Sequence, residues 1–430
     1  MTERQVGDAA GPDAPEAPLP PWFARAAGAR GHAAIVGGGI AGAGIAYALQ
    51  RRGWTCTVID RRSGATEASD MPMGVIMPRL TAGDGIEGRF HAAAWRFALQ
   101  TLNDLAEDGL PLSRQCCGVV QIADTDAEAE RLMAIAARGL LPEPFVFAMS
   151  AAEASDRAGC AIHRPALYFP QGGWLQPRAL CEALSHRASN CITATVAGTR
   201  RDGGRFQVVD TADKVCAEAD VVVLANGLGA TAFPGAGWLP LTARRGQVTL
   251  APATARSAKL RTVIVGDGYI TPAADGRHCI GATFDWVEDA RASQHVAPED
   301  HARNLAQLDR LLPGLLNGVA ADMLDGRAAL RCMTPDHLPV AGPLPDQSAY
   351  VSDYAQLRHG RHWVRYPSAT YVPGVYVLTG LGARGLTTAH LAAEVLACHI
   401  TGEPWPIERD LVTALHPGRF LVRDLKRVKA

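Results

Sequence analysis

The chain has 430 residues, too many for one simple core, so two domains are expected. A hydrophobic share of 48%, a charged share of 20% and a formal net charge of -1 fit an ordinary globular enzyme and exclude a bulk polyanion-binding surface; any such site must be a local patch. The 10 cysteines form no CxxC pair and several sit in apolar runs, so they read as reduced thiols of a cytoplasmic protein, with no metal centre expected.

Residues 1–30 are rich in Ala, Pro, Gly and Asp and predict a disordered arm or linker. Within it, Pro20-Pro-Trp-Phe23 is expected to dock on the body, because two aromatics are costly to leave in water. The run His32-Ala-Ala-Ile-Val-Gly-Gly-Gly-Ile-Ala-Gly42 is an apolar strand breaking into Gly37-x-Gly39-x-x-Gly42. An alanine-rich helix to about Arg52 and a second apolar strand ending in Asp60 follow. This is a β-turn-α-β unit built for a dinucleotide. The first glycine permits the tight turn, the second lets the backbone approach a pyrophosphate, and the third lets helix pack on strand. The helix N-terminus faces the phosphates with its N–H groups, and Asp60, 18 residues after Gly42, is placed to accept from ribose hydroxyls. The motif alone leaves FAD and NAD open.

Further along, a helix is expected around Gly88–Leu105, a strand at Ser113–Ile122, and helices at Glu128–Gly139 and Pro177–Ser189. The buried run Ala219–Gly227 reads as a parallel strand returning to the nucleotide domain. Short segments between residues 239 and 285, separated by Gly, Asp and Pro, carry an antiparallel signature, and a helix near Asp300–Leu312 follows. The chain is expected to recross through Ala329–Gly342, and Val375–Leu386 is a second strand breaking into glycines, with a helix over Thr387–Ile400. These assignments give a discontinuous nucleotide domain over 31–110, 170–230 and 325–430, and a substrate domain over 111–169 and 231–324.

Several strings are far more specific than the fingerprint: Tyr168-Phe-Pro-Gln-Gly-Gly-Trp-Leu, Asp267-Gly-Tyr-Ile-Thr-Pro, His278-Cys-Ile-Gly-Ala, Arg331-Cys-Met-Thr-Pro-Asp-His-Leu-Pro and Gly382-Ala-Arg-Gly-Leu. Through them the chain resembles the FAD-dependent amine oxidases of the D-amino-acid oxidase and glycine oxidase type. More closely, from about Trp22 to Lys426, it resembles the C-terminal oxidase domain of the bifunctional tRNA-modification protein MnmC. The resemblance implies an α/β Rossmann-like FAD-binding domain with an α+β, antiparallel-sheet substrate domain. It implies FAD-dependent removal of the carboxymethyl group from 5-carboxymethylaminomethyl-(2-thio)uridine at the tRNA wobble position, giving the 5-aminomethyl base and glyoxylate. A methyltransferase domain precedes the oxidase in that family, so a separate or severed methyltransferase is an implied partner. The alternative is an FAD-dependent oxidase of a free amino acid such as glycine or sarcosine.

The same resemblance nominates Arg331 as the carboxylate-binding arginine, Tyr269 beside it, and Arg384 in the late glycine loop. It adds Gly74, and the late strand-to-helix turn, whose helix N-terminus is expected near the flavin ring, adds Gly382 and Gly385, to Gly37, Gly39, Gly42 and Asp60 as cofactor-binding positions. Two departures stand out: Met71 occupies a position commonly Asn, and Ala329 one commonly Gly. The competing role for Arg331 is an ion pair with Asp336 or Asp285; for Arg384 it is capping of loop carbonyls. His278, His337 and Asp267 are polar neighbours expected to be structural. Two local basic patches, Arg358–Arg365 and the tail Arg419–Lys429, are expected to meet phosphates or to be solvated surface.

Overall fold

The computed structural model describes residues 19–24, 31–64, 67–188, 190–287, 294–360 and 363–427. The elements that position the site are, in chain order, β1 (His32–Val36), α1 (Ile40–Gln50), β2 (Thr55–Asp60), α2 (Ile86–Glu107), β3 (Val119–Gln121), β4 (Ala166–Phe169), β5 (Asn190–Thr193), β6 (Val221–Leu224) and β7 (Thr242–Pro252). They continue with β8 (Val263–Val265), β9 (Tyr269–Ile270), β10 (Arg277–Gly281), β11 (Asp285–Trp286), α3 (Pro298–Leu311), β12 (Asp325–Met333), β13 (Val340–Pro345), β14 (Tyr371–Thr379), α4 (Gly385–Thr401) and α5 (Arg419–Arg427).

Two sheets organise these elements. The first runs β13-β14-β6-β1-β2-β5, parallel except for the outer β13–β14 pair. Its central strands are near-continuously apolar because both faces are covered: Ala33, Ala34, Ile35 and Val221–Leu224 are almost wholly buried. On one face lie α1 and α4, whose small residues allow close approach; a Cβ on Gly44 of α1 would sit 3.4 Å from the Ala393 Cβ of α4. Ile45, Leu49, Leu391 and Leu396 fill the same core, and each such buried side chain stabilises by about 2 kcal/mol.

The second sheet is mostly antiparallel and follows β11-β7-β10-β9-β8-β3-β4, with β12 on the other side of β7. β7 has 11 residues, long enough for its first half to pair with β11, its second half with β10, and nearly its whole length with β12. This corrects one expectation. The segment from 325 was assigned to the nucleotide domain, yet β12 pairs with β7 from Thr242↔Met333 to Leu250↔Asp325. Nine ladder pairs hold it there, and the chain re-enters the first sheet only at β13. Similarly, Gly173–Leu175 joins neither main sheet; it pairs with Gly74–Ile76 and Arg114–Gln115 in a small sheet of three strands.

Trp22 docks as its composition required. It meets Tyr354 and Tyr366 edge-on at 5.9 and 5.7 Å, and the Tyr350 hydroxyl donates to its carbonyl at 2.7 Å. The rest of the expected arm, residues 1–18 and 25–30, lies outside the described residues. At the other end, α5 buries Phe420, Leu421 and Val422.

Candidate active site

One cleft of about 1730 Å³ runs between the two sheets, and residues of both groups singled out in the sequence line it, Gly42 excepted. At one end is the glycine turn. Gly37 has φ +111°, which only glycine adopts readily, and its N–H donates to Ile59 O at 2.8 Å. A Cβ on Gly42 would fall 1.8 Å from the Gly37 carbonyl oxygen, so the third glycine is fixed by helix packing on the turn. Gly39 faces the cleft, where a Cβ would come 3.0 Å from Ser69 Oγ. Ser69 Oγ accepts from the Ile40 N–H at 3.0 Å and so caps the first turn of α1.

Asp60 also lines the cleft. One carboxylate oxygen accepts from the Gly38 N–H at 2.6 Å and the other from Arg62 N–H at 3.1 Å. The carboxylate thus pins the turn while still facing the cleft. Gly74 lets the loop close on α4: a Cβ there would meet Leu386 Cδ1 at 2.2 Å. Gly382 holds φ +59° and lies beside the Met333 sulfur. Gly385 opens α4 and lines the cleft, but a Cβ there would make only ordinary contact, nearest Ile40 Cγ2 at 3.5 Å. Its place is set by the helix N-terminus rather than by crowding.

The far end is built by the antiparallel sheet. Arg331 projects from β12 into the cleft and donates through Nη1 to Thr283 O at 3.1 Å, with Phe284 beneath its guanidinium at 5.4 Å. Neither expected carboxylate partner reaches it. Asp336 is held by Arg419 at 2.8 and 3.0 Å, and Asp285 by Arg303 at 2.8 and 2.9 Å. Among the described residues Arg331 therefore has no anionic partner. Burial lowers its pKa from the usual arginine value, and the neighbouring Tyr269 acts in the opposite sense.

Tyr269 sits on β9 beside Gly281, its hydroxyl 3.8 Å from Cys279 Sγ. Burial, and then the Cys279 thiol, push its pKa well above 10, so the phenol stays a neutral donor. Arg384 lies at the start of α4, lining the cleft. Burial first, and Arg79 second, pull its pKa down to about 10. Its side chain bonds no loop carbonyl among the described residues. Buried His91 nearby is pushed down to about 3 by desolvation and by Arg384 and Arg79, and stays neutral.

The remaining sequence candidates are engaged by neighbours or turns of their own, although Asp267 also lines the cleft. Buried His278 bonds Thr271 O and Ser257 Oγ, each at 2.8 Å, and Asp267 pairs with Arg310 at 3.4 Å. His337 takes φ +60° in a turn. In the tail, Arg419 is drawn inward to Asp336, leaving Arg423, Lys426 and Arg427 on the surface face of α5. Of the other patch, residues 361 and 362 lie outside the described residues. Sequence reasoning gave no site role to Ser69 or Gly246, which line the cleft and whose contacts, with Ile40 and Arg331, are made by residues far away in the chain. Among the described residues, no cluster of His, Cys, Asp and Glu is arranged to hold a metal, and no helix is long and apolar enough to cross a membrane.

A dinucleotide cradle joined through one cleft to an antiparallel sheet is the frame of a dinucleotide-dependent oxidoreductase. Residues 32–399 match the FAD dependent oxidoreductase family, and the chain belongs to it; its cofactor is FAD. Glycine oxidase from Bacillus cereus shares the fold at TM-score 0.68 and 21% identity, covering 89% of this chain and 97% of that one. Iminodiacetate oxidase from Chelativorans sp. does so at TM-score 0.69 and 21% identity, covering 87% and 97%. In sequence the chain is similar to the tRNA 5-methylaminomethyl-2-thiouridine biosynthesis bifunctional protein MnmC. It is 37% identical to that of Methylobacillus flagellatus over 92% of the chain, and 39% identical to that of Chromobacterium violaceum over 95%. The chain spans 60% and 62% of the length of those two relatives.

Proposed function

We propose that the chain oxidises the carboxymethyl arm of a secondary amine, and that this amine is 5-carboxymethylaminomethyl-(2-thio)uridine at the wobble position of tRNA. The observation that carries the reading is Arg331, a cation in the cleft with no carboxylate partner among the described residues. A planar guanidinium in that position is a bidentate receptor for a substrate carboxylate. The similarity to the tRNA 5-methylaminomethyl-2-thiouridine biosynthesis proteins supports this choice of amine, and the fold shared with an iminodiacetate oxidase agrees with a carboxymethyl-bearing secondary amine.

The glycine turn, Asp60 and the Ser69-capped start of α1 would hold the FAD dinucleotide, with Gly74, Gly382 and Gly385 toward its other end. Bound FAD supplies the two-electron acceptor. The chain's own residues place the substrate. Arg331 takes the carboxylate and Tyr269, held neutral, donates a second hydrogen bond to it. Arg384 and the N-terminus of α4 favour negative charge at the opposite wall of the cleft. Two electrons and two protons leave the N–CH2 unit, one from carbon and one from nitrogen, and a C=N bond forms. Water adds to that carbon, the C–N bond breaks, and the products are the primary amine and glyoxylate. No dedicated base is needed if the amine enters neutral. On this proposal the enzyme works in the cytoplasm.

The test is mass spectrometry of wobble nucleosides after incubating the yellow holoprotein with carboxymethylaminomethyl-bearing tRNA. Conversion to the aminomethyl base with stoichiometric glyoxylate supports the proposal. Unchanged tRNA, with rapid oxidation of glycine or sarcosine, overturns it in favour of the free amino-acid oxidase.

A further inference from the structure

The register of the second sheet sets three side chains in a row across its strands. Arg331 on β12 is directly opposite Arg244 on β7, and Arg244 is directly opposite Trp286 on β11. Directly paired residues share a face of the sheet. The row therefore runs outward from the substrate carboxylate site. Phe284, two residues before Trp286, follows the same alternation and lines the cleft. The Arg244 guanidinium lies 3.2 Å from the Trp286 ring centroid and 5.2 Å from that of Phe284. Both rings are exposed, Phe284 by 44% and Trp286 by 66%.

Such exposure is costly for two large aromatics unless something covers them. The strand that carries them is nonetheless pinned. Asp285 is held on both oxygens by Arg303, and Arg303 also bonds Asp300 at 2.9 Å. Arg244, like Arg331, has no carboxylate partner among the described residues. Stacked on the indole, its guanidinium keeps its N–H edge available to an anion.

We propose that Phe284, Arg244 and Trp286 form a stacking platform for a nucleobase and its phosphate next to the base that enters the cleft. This rests on the tRNA reading above and deepens it. The occupant is specified by chemistry: an aromatic face next to a cation with no carboxylate partner among the described residues suits a base with an adjoining phosphate, and the row leads directly from Arg331. Stacking of this kind is indifferent to base identity. Its purpose is to hold the neighbour of an everted base while the substrate arm reaches Arg331.

The experiment compares holoenzyme carrying Trp286→Ala, Trp286→Phe or Arg244→Met on two substrates: modified tRNA and the free 5-carboxymethylaminomethyl-uridine nucleoside. Trp286→Ala should raise KM for tRNA about 10-fold or more at unchanged kcat, with nucleoside oxidation and flavin content unaltered. Trp286→Phe should stay near wild type, and Arg244→Met should raise KM and flatten its salt dependence. A tRNA KM that Trp286→Ala leaves unchanged, in an enzyme that does oxidise tRNA, overturns the platform alone. The same holds if the substitution instead alters self-association in sedimentation, which would make the face a contact between copies. A wild type that oxidises the nucleoside but never tRNA overturns the platform together with the reading on which it rests.

Discussion

Gly246 on β7 lies diagonally across from Arg331 on β12, and a Cβ on Gly246 would come 2.0 Å from Arg331 Nη1. The guanidinium thus fills the space a side chain would need. It is held there by the Thr283 carbonyl and the Phe284 ring rather than by a carboxylate. On the proposed reading, a receptor for a substrate anion is made by removing one side chain on the neighbouring strand and, among the described residues, by withholding a carboxylate partner.

Gly246→Ala should therefore displace Arg331 without unfolding the sheet, since nothing in the backbone at Gly246 demands a positive φ. The expected outcome is a rise in KM for the carboxymethyl substrate of about 10-fold, with FAD content unchanged. Steady-state kinetics with the flavin absorbance ratio checks it; wild-type KM would show that the guanidinium has room to move aside.

Arg331→Met should remove the carboxylate contact itself. A charge-assisted bidentate bond suggests a loss of about 2–3 kcal/mol, roughly 30- to 150-fold in kcat/KM. FAD should stay bound, because the glycine turn lies at the other end of the cleft. Wild-type-like turnover on the modified tRNA would remove Arg331 from this role.

Gly42→Ala acts at the opposite end. With its Cβ 1.8 Å from the Gly37 carbonyl oxygen, α1 must shift away from the turn that cradles the pyrophosphate. The expected product is protein with little or no flavin, whereas wild type should purify yellow. Wild-type FAD should also be released by denaturation, being held by hydrogen bonds and packing. Absorbance of the supernatant after acid precipitation reads both; colour retained in the wild-type pellet would show a covalent link.

The nucleotide half was legible in the sequence because its signals are local. Gly37, Gly39, Gly42 and Asp60 lie within one supersecondary unit, and apolar runs such as Val221–Leu224 announce buried parallel strands. The substrate half was legible only in outline. That β12 belongs to the antiparallel sheet depends on its pairing with β7, some 80 residues earlier, and no local pattern in Ala329–Met333 says so. Arg331, Tyr269 and Arg384 came from resemblance, not from spacing. The row Arg331–Arg244–Trp286 is set by strand register alone, which is why the sequence left Arg244 and Trp286 unmarked. The reading of the tail as a basic patch weakened for a similar reason: its first arginine answers an aspartate 83 positions away.

That last pair makes a prediction with a pH dependence. Burial alone would raise the Asp336 carboxyl, but the hydrogen bonds and charge of Arg419 outweigh it and hold it below the usual carboxylate range. Arg419 is mostly buried and also donates to Leu338 O at 2.9 Å, so the pair ties α5 to the segment leading into β13. A carboxyl with a lowered folded-state pKa stabilises fully above its unfolded value, near pH 4, and loses that contribution as pH falls through the folded value. Asp336→Asn leaves a buried guanidinium without its counter-charge and should destabilise by about 2–3 kcal/mol at pH 7. The gap between variant and wild type should narrow as the pH is lowered below about 4, because the unfolded wild-type carboxyl then takes up a proton first and the folded one follows only at its lower value. Thermal denaturation of both proteins across pH 3–7 tests this. A constant gap would mean that the carboxylate's charge is not what holds the tail helix in place.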